Sequence, residues 1–476
     1  MIAAVDIINA ESDEANYMSD LFKALNPTPM GWSNKTHYCE WKGVSCDSTR
    51  SVTSIKLPSS SLTGTLPPNI NTLTNLTHVD LHNNSLNGPL PEFNRLFLLQ
   101  TVSLGHNNFT SVPDDCFQYL SDLKTLNLSN NLNLYPWVFP LSNLASSSKS
   151  LDSLDLEATN MIGSLDPDTF DWFPNLQTFI ISHNKIDGLL PESLGKSSVR
   201  YLRLNSQRGH MFWGTIEVIS TMSNLSQAWL HENSFAGLIP NLSNCTNLFD
   251  LQLHSNILSG FVPPSLLALS SLKIISLDNN MLYGPIPVFH KGVKATWETN
   301  NFCQSDVGLC DPQLMVLLQI LEPLGSSYIL SIQGSDACTG AVWTNKILTD
   351  RILIRCERGK IVSFGIWNFS LTGSRSTISP AFSNLTSLVN LTLTGVNLTG
   401  SIPNSIATLP QLQLLDVSNN NLSGQIPKFP SKVKLITRGN AFLDLNISQQ
   451  LGGGQNASTT HHGGSSKTTL RAVLIA

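Results

Sequence analysis

The sequence predicts an α/β leucine-rich-repeat solenoid, a right-handed parallel superhelix of about thirteen coils in two blocks, with capping helices and disulfides. Three observations predict this fold. One phrase, L-x-x-L-x-L-x-x-N-x-L-x-G-x-I-P, recurs along the chain, with clear copies that begin at Leu76, Leu272 and Leu412. Successive copies are mostly 23 to 25 residues apart. The x-L-x-L-x part alternates, which is typical of a short strand with leucines inward and the x residues outward.

Each coil contributes one central core position. These positions are Ile55, Val79, Val102, Leu126, Leu154, Phe179, Leu202, Ala228, Leu251 and Ile275, and after a gap Phe364, Leu391 and Leu415. A single coil cannot bury its own leucines, so the coils must stack. The Asn of each phrase, as at Asn84, Asn280 and Asn420, is expected to bond backbone groups at the bend and to form an asparagine ladder. Gly424 and Pro427 are typical of the return turn.

Length and composition limit the possible classes of function. The chain has 476 residues, a net charge of -5 and 13% charged residues, without the basic stripe of a nucleic-acid binder. The sequence lacks the common hydrolase, metalloprotease and phosphate-loop motifs, and its cysteines are not spaced as zinc ligands. We therefore predict a protein with no catalytic residues, no cofactor and no metal. No run reaches the roughly 20 apolar residues that a membrane span needs.

The repeat register divides the chain into seven segments. They are a residual or incomplete N-terminal leader (1–10), an N-terminal cap (11–51), a first repeat block of about ten coils (52–287), an island made of an end cap and a second start cap (288–360), a second block of about three coils (361–427), a C-terminal cap (428–448) and a flexible juxtamembrane-like tail (449–476). The start lacks the basic residues of a signal peptide, so either leader information is missing or the protein is not exported. The cysteines and sequons favour export.

The N-terminal cap is predicted to combine a helix with a disulfide. Four apolar residues have helical spacing: Met18, Leu21, Phe22 and Leu25. Cys39 and Cys46 follow, and a bond between them would fix a small loop over the exposed end of the stack. The alternative is two free thiols, as in a cytosolic protein.

The island repeats this arrangement before the second block. Cys303 and Cys310 bracket six residues, and Asp311-Pro312 is typical of a helix N-terminus. One helical face follows, formed by Leu314, Leu317, Leu318 and Leu321. Cys338 and Cys356 precede the second block as Cys39 and Cys46 precede the first, so the six cysteines are expected to pair in chain order. Because three coils are close to the minimum for stability, the second block is expected to pack against the first.

The outward strand positions are the candidate binding residues. Coils 7 to 9 supply six of them, counting the two histidines just after the strands: Tyr201, Arg203, Trp229, His231, Gln252 and His254. An outward Trp beside an Arg on a concave surface is typical of an interface hot spot, and the alternative is that Trp229 only covers its neighbours. The lengthened turn from Asn205 to Gly214 suggests either a binding loop or drift in a tolerant loop.

Five histidines follow strands: His82, His106, His183, His231 and His254. For the last two, the alternatives are a metal or pH-sensitive site and a solvated rim. The solvated rim is favoured because no carboxylate or Cys joins these histidines at metal-ligand spacing. Two further cysteines, Cys116 and Cys245, have no close partner in sequence and are interpreted as buried apolar residues.

Asn-x-Ser/Thr sequons are frequent, which suits an extracellular protein. The candidate glycosylation sites are Asn34, Asn75, Asn108, Asn224, Asn241, Asn384, Asn390 and Asn446.

The layout resembles the extracellular part of plant receptor-like kinases, most closely the TMK (transmembrane kinase) family. Trp41-Lys-Gly-Val-Ser-Cys46 with the G-x-I-P coils is similar to plant extracellular repeats in general. The long first array, the island sequence Cys303-Gln-Ser-Asp-Val-Gly-Leu-Cys-Asp-Pro312 and the three final coils resemble TMK in particular, over roughly residues 11–445. The longer loop between Trp343 and Cys356 departs from the family pattern, as do extra residues around Ser374.

The resemblance implies an extracellular recognition ectodomain in cell-surface, auxin-type signalling. It implies a protein or peptide ligand, an auxin-binding cupin protein or a co-receptor as partner. Family members continue into a membrane span and a serine/threonine kinase, so we expect an ectodomain fragment, a truncated product or a secreted decoy. The protein is then expected either at the apoplastic face of the plasma membrane or as a secreted protein. At the membrane, the contact would be made only through a missing C-terminal span. The alternative is a secreted inhibitor of wall-degrading enzymes, against which the island counts because such inhibitors usually have one uninterrupted array.

Overall fold

The computed structural model describes residues 2–145, 149–303, 310–321, 331–332, 337–338, 341–342, 352–368 and 376–443. Within these ranges the chain is a leucine-rich-repeat solenoid with two stacks of strands, as predicted. The predicted glycosylation site Asn446, the predicted tail (449–476) and the extra residues around Ser374 lie outside the described residues.

The first stack forms one long sheet. Its twelve strands are Val44–Cys46, Val52–Lys56, His78–Asp80, Thr101–Ser103, Thr125–Asn127, Ser153–Asp155, Thr178–Ile180, Tyr201–Arg203, Gln227–Trp229, Asp250–Gln252, Ile274–Ser276 and Lys294–Thr296. The first two strands pair antiparallel, and each later pair is parallel. The sheet therefore begins with a hairpin and continues with one strand from each coil.

The register of this sheet confirms the predicted core positions. Ile55 lies opposite Val79, and each later predicted residue lies opposite the next, as far as Leu251 and Ile275. All of them are buried. The closing segment adds one further rung, in which Ala295 lies opposite Ile275.

Shorter strands follow the bends. They are Thr63–Thr65, Ser85–Pro89, Asn108–Ser111, Trp137–Val138, Met161–Ser164, Lys185–Asp187, Trp213–Gly214, Ser234–Leu238, Ile257–Gly260, Met281–Gly284 and Asn301–Phe302. Short helices then return the chain: Ile70–Thr72, Glu192–Lys196 and Glu217–Thr221 are 3-10 helices, and Leu141–Leu144 and Pro264–Leu267 are α-helical. The glycine of the G-x-I-P turn has a positive φ at Gly284, where a Cβ would also lie 2.5 Å from the Phe261 ring.

The predicted asparagine ladder is present. Asn233 Nδ2 donates to the carbonyls of Leu204 and Leu230 at 3.1 Å, and its Oδ1 accepts from the Phe212 N–H at 3.2 Å. The same pattern recurs at Asn84, Asn107, Asn131, Asn184, Asn256, Asn280, Asn300, Asn420 and Asn440. In the coil with the lengthened turn, Gln207 takes the asparagine's place. The ladder pairs backbone groups that each bend would otherwise bury unsatisfied.

The N-terminal cap contains the expected helix, but the helix is Ile2–Ala24 and so begins within the predicted leader; the 3-10 turn Tyr38–Glu40 follows it. Met18, Leu21 and Leu25 are buried, and the ring centroids of Phe22 and Trp41 are 5.4 Å apart. The buried Glu14 carboxylate accepts from the Val52 N–H at 2.9 Å and so attaches the helix to the first long strand.

The second stack repeats this design. Its strands are Ile352–Glu357, Lys360–Trp367, Asn390–Thr394, Leu414–Asp416 and Lys434–Ile436, with Thr399–Gly400, Asn421–Gly424 and Phe442–Leu443 after the bends and a separate pair, Ser331–Ile332 and Ala341–Val342. The 3-10 helices are Pro380–Asn384 and Asn404–Thr408. The first two strands pair antiparallel, and Phe364, Leu391 and Leu415 lie in register as predicted. Tyr283, from the last coil of the first stack, packs into the core of the second.

The helix that starts the second stack is Pro312–Leu321. Asp311 Oδ1 accepts from the Leu314 N–H at 2.9 Å, as expected of an N-terminal cap. The four predicted leucines of this helix are buried.

The expected capping disulfides are present: Cys39–Cys46, Cys303–Cys310 and Cys338–Cys356. The free cysteines Cys116 and Cys245 are buried, as interpreted. Burial raises the pKa of the Cys116 thiol to about 12 and that of Cys245 to about 11, so both are unreactive. In the described part of the chain, no helix combines the length and apolar character needed to cross a membrane.

Candidate partner-binding site

The six predicted binding residues lie side by side on the solvent face of the long sheet. Arg203, Trp229 and Gln252 occupy equivalent positions of three adjacent strands, because Arg203 lies opposite Trp229 and Trp229 opposite Gln252. Tyr201 is two residues before Arg203 on the same strand. His231 and His254 follow the last two strands. We call this group, Tyr201, Arg203, Trp229, His231, Gln252 and His254, the Arg–Trp patch.

The centre of the patch is a cation–π pair. The Arg203 guanidinium carbon lies 4.1 Å from the centroid of the Trp229 ring. Arg203 Nε also donates to Gln227 Oε1 at 2.9 Å, which fixes the guanidinium plane. Both side chains are half-buried, so each presents part of its surface to solvent. A pair held in this way offers a rigid flat surface with a positive charge on it.

The buried residue beneath the pair is Asp250, which sequence reasoning did not single out. Its Oδ2 accepts from Trp229 Nε1 and from Gln227 Nε2, both at 2.8 Å. Its Oδ1 accepts from Gln252 Nε2 at 2.6 Å. Asp250 is only 4% exposed, so these charge-assisted bonds are formed away from water. The carboxylate thus orients Trp229 and Gln252 of the patch, together with Gln227 beside them.

The two patch histidines stack on each other. Their ring centroids are 4.3 Å apart, and the Trp229 ring lies 6.1 Å from that of His231. Burial, and then the neighbouring His254, lower the pKa of His231 to about 4. His231 is therefore neutral in neutral and mildly acidic water, and the stack carries no charge from this ring.

The five histidines do not form one site. His82, His231 and His254 occupy one position of their coils, whereas His106 and His183 are one residue further along, where φ is positive. No group of three potential metal ligands occurs among the described residues. The predicted solvated rim fits His106 and His183, which are exposed. It fits His231 and His254 less well, because these two are half-buried.

At the edge of the patch, Tyr201 is 36% exposed, and the Arg200 guanidinium lies 5.9 Å from its ring centroid. This edge adds a second aromatic surface with a cation beside it.

The candidate glycosylation sites differ in exposure. Five are exposed: Asn34, Asn108, Asn224, Asn241 and Asn384. Asn75 is half-buried and donates to Asp47 Oδ2 at 2.9 Å, and Asn390 is half-buried on a strand of the second stack. Among the candidate sites that the structure describes, these five present their amide to solvent.

Family models for leucine-rich repeats match residues 75–96, 98–143, 149–208 and 411–433, and the model for the leucine-rich-repeat N-terminal domain matches residues 11–47. Among curated proteins, Receptor-like kinase TMK4 of Arabidopsis thaliana is 45% identical over 441 residues, which cover 91% of this chain and 46% of the relative. Receptor-like kinase TMK2 of the same plant is 34% identical over 401 residues, which cover 82% of this chain and 43% of the relative. The chain spans somewhat less than half the length of these relatives.

Two solved plant structures have the same fold. The structure of PEPR1-AtPEP1 aligns with a TM-score of 0.54 at 24% identity, over 90% of this chain and 55% of that one. The ectodomain of GASSHO1/SCHENGEN3 from Arabidopsis thaliana, in complex with CASPARIAN STRIP INTEGRITY FACTOR 2, aligns with a TM-score of 0.54 at 24% identity, over 87% and 48%. At this identity the likeness supports the fold alone.

Proposed function

This chain is a leucine-rich-repeat ectodomain of the plant TMK receptor-like kinase type, and from that premise we propose that it recognises a protein or peptide partner outside the cell through the Arg–Trp patch. It matches the extracellular part of these receptors and not their catalytic domain. Its proposed contribution to signalling is therefore binding rather than chemistry.

The single observation that carries this proposal is the geometry around Trp229. A Trp and an Arg are stacked on an open sheet face and held there by the buried Asp250. Trp, Tyr and Arg are the residue types that contribute most to protein interfaces. Because the Trp229 and Arg203 side chains are already fixed, this chain loses little rotamer entropy when a partner binds.

The nature of the partner and pathway is a finer proposal. The two solved ectodomains with the same fold are complexes, one with AtPEP1 and one with CASPARIAN STRIP INTEGRITY FACTOR 2. By analogy we favour a peptide, with a co-receptor as a further partner. Auxin-type signalling and an auxin-binding cupin partner rest only on the resemblance to the TMK family. Binding of a purified auxin-binding cupin protein to this ectodomain, with and without auxin, would test that part separately.

The proposed function can be tested with a display library of random dodecapeptides selected on the secreted ectodomain. Replacing Arg203 and Trp229 together by Ala should weaken the selected peptides at least about tenfold, which corresponds to about 1.4 kcal/mol, because both surfaces of the patch are lost. Dissociation constants from titration calorimetry measure this effect. Circular dichroism well below the melting temperature should show an unchanged fold, although that temperature should fall because the buried Asp250 loses the Trp229 donor.

A matched control removes an exposed aromatic and a cation elsewhere. Trp172 is 49% exposed and Lys149 is also exposed, and both lie outside the patch. Trp172→Ala with Lys149→Ala should leave peptide affinity unchanged. Equal affinity of the patch variant and the unmodified protein would reject the patch as the binding site.

A further inference from the structure

A polar pocket of about 640 Å³ lies beside the patch, at the bends that follow the long-sheet strands. Glu157 and His183 line it from two bends, and Lys185 from the short strand Lys185–Asp187. Arg208 lines it from the lengthened turn between Asn205 and Gly214. The backbone N–H of Arg208 donates to the Asn184 carbonyl at 2.8 Å. The extra residues of this turn therefore supply one wall of the pocket.

The charges in this pocket are not balanced. Among the described residues, neither Lys185 nor Arg208 forms an ion pair within 4 Å. The Glu157 carboxylate faces His183 instead, with Oε1 3.7 Å from Nε2. Two cationic side chains and one carboxylate leave a surplus of one positive charge while His183 is neutral. This surplus suits a single negative charge, and a doubly charged phosphate would be repelled by Glu157.

The pocket and the Arg–Trp patch are joined by the backbone. The His183 N–H donates to the Asn205 carbonyl, and the Ser206 N–H donates to the His231 carbonyl, both at 3.0 Å. His183 also acts electrostatically on His231. An extended peptide crossing the patch can therefore reach the pocket within two coils, since neighbouring strands of a sheet are about 4.8 Å apart.

We propose that this pocket receives one carboxylate of the peptide that occupies the Arg–Trp patch, with Arg208 and Lys185 as its charged partners. The planar Arg fork matches the two oxygens of a carboxylate, and Lys adds a point charge. The carboxylate comes either from an Asp or Glu side chain or from the C-terminus of the peptide. This inference rests on the proposed function, because it assumes that a peptide binds the patch.

The experiment uses the peptides selected on the whole ectodomain, synthesised in three forms: unmodified, with an amidated C-terminus, and with Asp and Glu replaced by Asn and Gln. Lys185→Gln with Arg208→Gln should weaken the unmodified form about tenfold and leave the form that lacks the essential carboxylate unaffected. That coupling between variant and peptide form identifies a direct charge contact. Loss on amidation assigns the C-terminus, and loss on Asn/Gln replacement assigns a side chain.

The charge-matched control is Lys149→Gln with Lys196→Gln, two exposed lysines outside the pocket, which should bind every form like the unmodified protein. The carboxylate proposal is overturned if the pocket variant binds every form as the unmodified protein does, or if it weakens every form by the same factor. An equal loss in the control overturns it as well. If the Arg203→Ala, Trp229→Ala variant still loses affinity in that case, the proposed function stands without the pocket. If neither variant loses affinity, both proposals fail.

Discussion

His231 is in an environment that opposes its protonation. The ring is partly buried, and its Nδ1 has no hydrogen-bond partner among the described residues. Burial is the main cause of its lowered pKa, and the stacked His254 is the second. The other titratable residues that act on it are Glu232, His183 and Asp250.

This environment predicts a dependence of stability on pH. The pKa of His231 falls from 6.5 to about 4 on folding. Above pH 6.5 neither state binds the proton. Between pH 6.5 and about 4 the unfolded chain binds it and the folded chain does not, so the contribution of His231 to stability is lost as pH falls through this range. His231→Gln should therefore unfold in urea with a midpoint that depends less on pH than that of the unmodified protein.

The measurement is the urea midpoint by circular dichroism at several pH values in that window. His37 and His78 also have pKa values lowered mainly by burial, but they are common to both proteins and cancel in the difference. His106→Gln, at an exposed position, is the control for the change of residue type. Parallel curves for His231→Gln and the unmodified protein would show that the ring is not protected from protonation.

Single residues also show what the sequence leaves undetermined. The alternating pattern places Asp250 on the outward face, where an acidic residue would ordinarily be solvated. In the fold it is buried beneath Gln227, Trp229 and Gln252, which donate to it. Strand periodicity assigns a face to each residue, but the rotamers of neighbouring coils decide which outward side chains cover one another.

At the scale of elements, the bend between strands depends on its asparagine. Asn184 Nδ2 donates to the carbonyls of Leu156, Ile181 and Ser182, at 2.8, 3.0 and 3.1 Å. Its Oδ1 accepts from the N–H groups of Thr159 and Met161 at 3.0 and 2.9 Å. One side chain thus satisfies buried backbone groups of two successive coils.

Asn184→Ala should destabilise the protein by at least about 2 kcal/mol, because several buried backbone groups would lose their partner and each costs about 1–3 kcal/mol. The change in free energy of unfolding can be measured in urea. Asn133→Ala, at an exposed position outside the sequons where no side-chain hydrogen bond is formed within the described residues, is the comparison and should stay within about 0.5 kcal/mol. A similar cost at both positions would show that the ladder amide contributes nothing specific.

Elements were predicted best where one local rule determines them. The core register follows from the repeat alone, and the cap at Asp311 follows from its Asp-Pro signature. The strands at Lys294–Thr296 and Lys434–Ile436 were missed. These closing segments lack the full phrase, yet the free edge of the preceding strand pairs with them, since an unpaired edge is unfavourable.

At the scale of the whole molecule, the repeat determined the stacking of both blocks but not the binding surface. The Arg–Trp patch was predicted because its residues stand outward on adjacent coils. The pocket beside it was not, because its residues come from two bends, a short strand and a lengthened turn. Side chains that far apart in sequence meet only when the coils are stacked in register.

The distribution of sequons over the molecule gives the last prediction. Between Asn127 and Asn224 the sequence contains no Asn-x-Ser/Thr, and this stretch holds Tyr201, Arg203 and the pocket residues Glu157, His183, Lys185 and Arg208. Protein made in a secretory host should carry N-glycans at the five exposed sites, because there the amide projects into solvent. Glycopeptide mass spectrometry before and after enzymatic deglycosylation measures their occupancy. Since the glycans leave this stretch uncovered, deglycosylated protein should bind the selected peptides with unchanged affinity. A molecular mass equal to that of the bare chain would contradict the glycosylation, and a gain in affinity on deglycosylation would place a sugar over the patch.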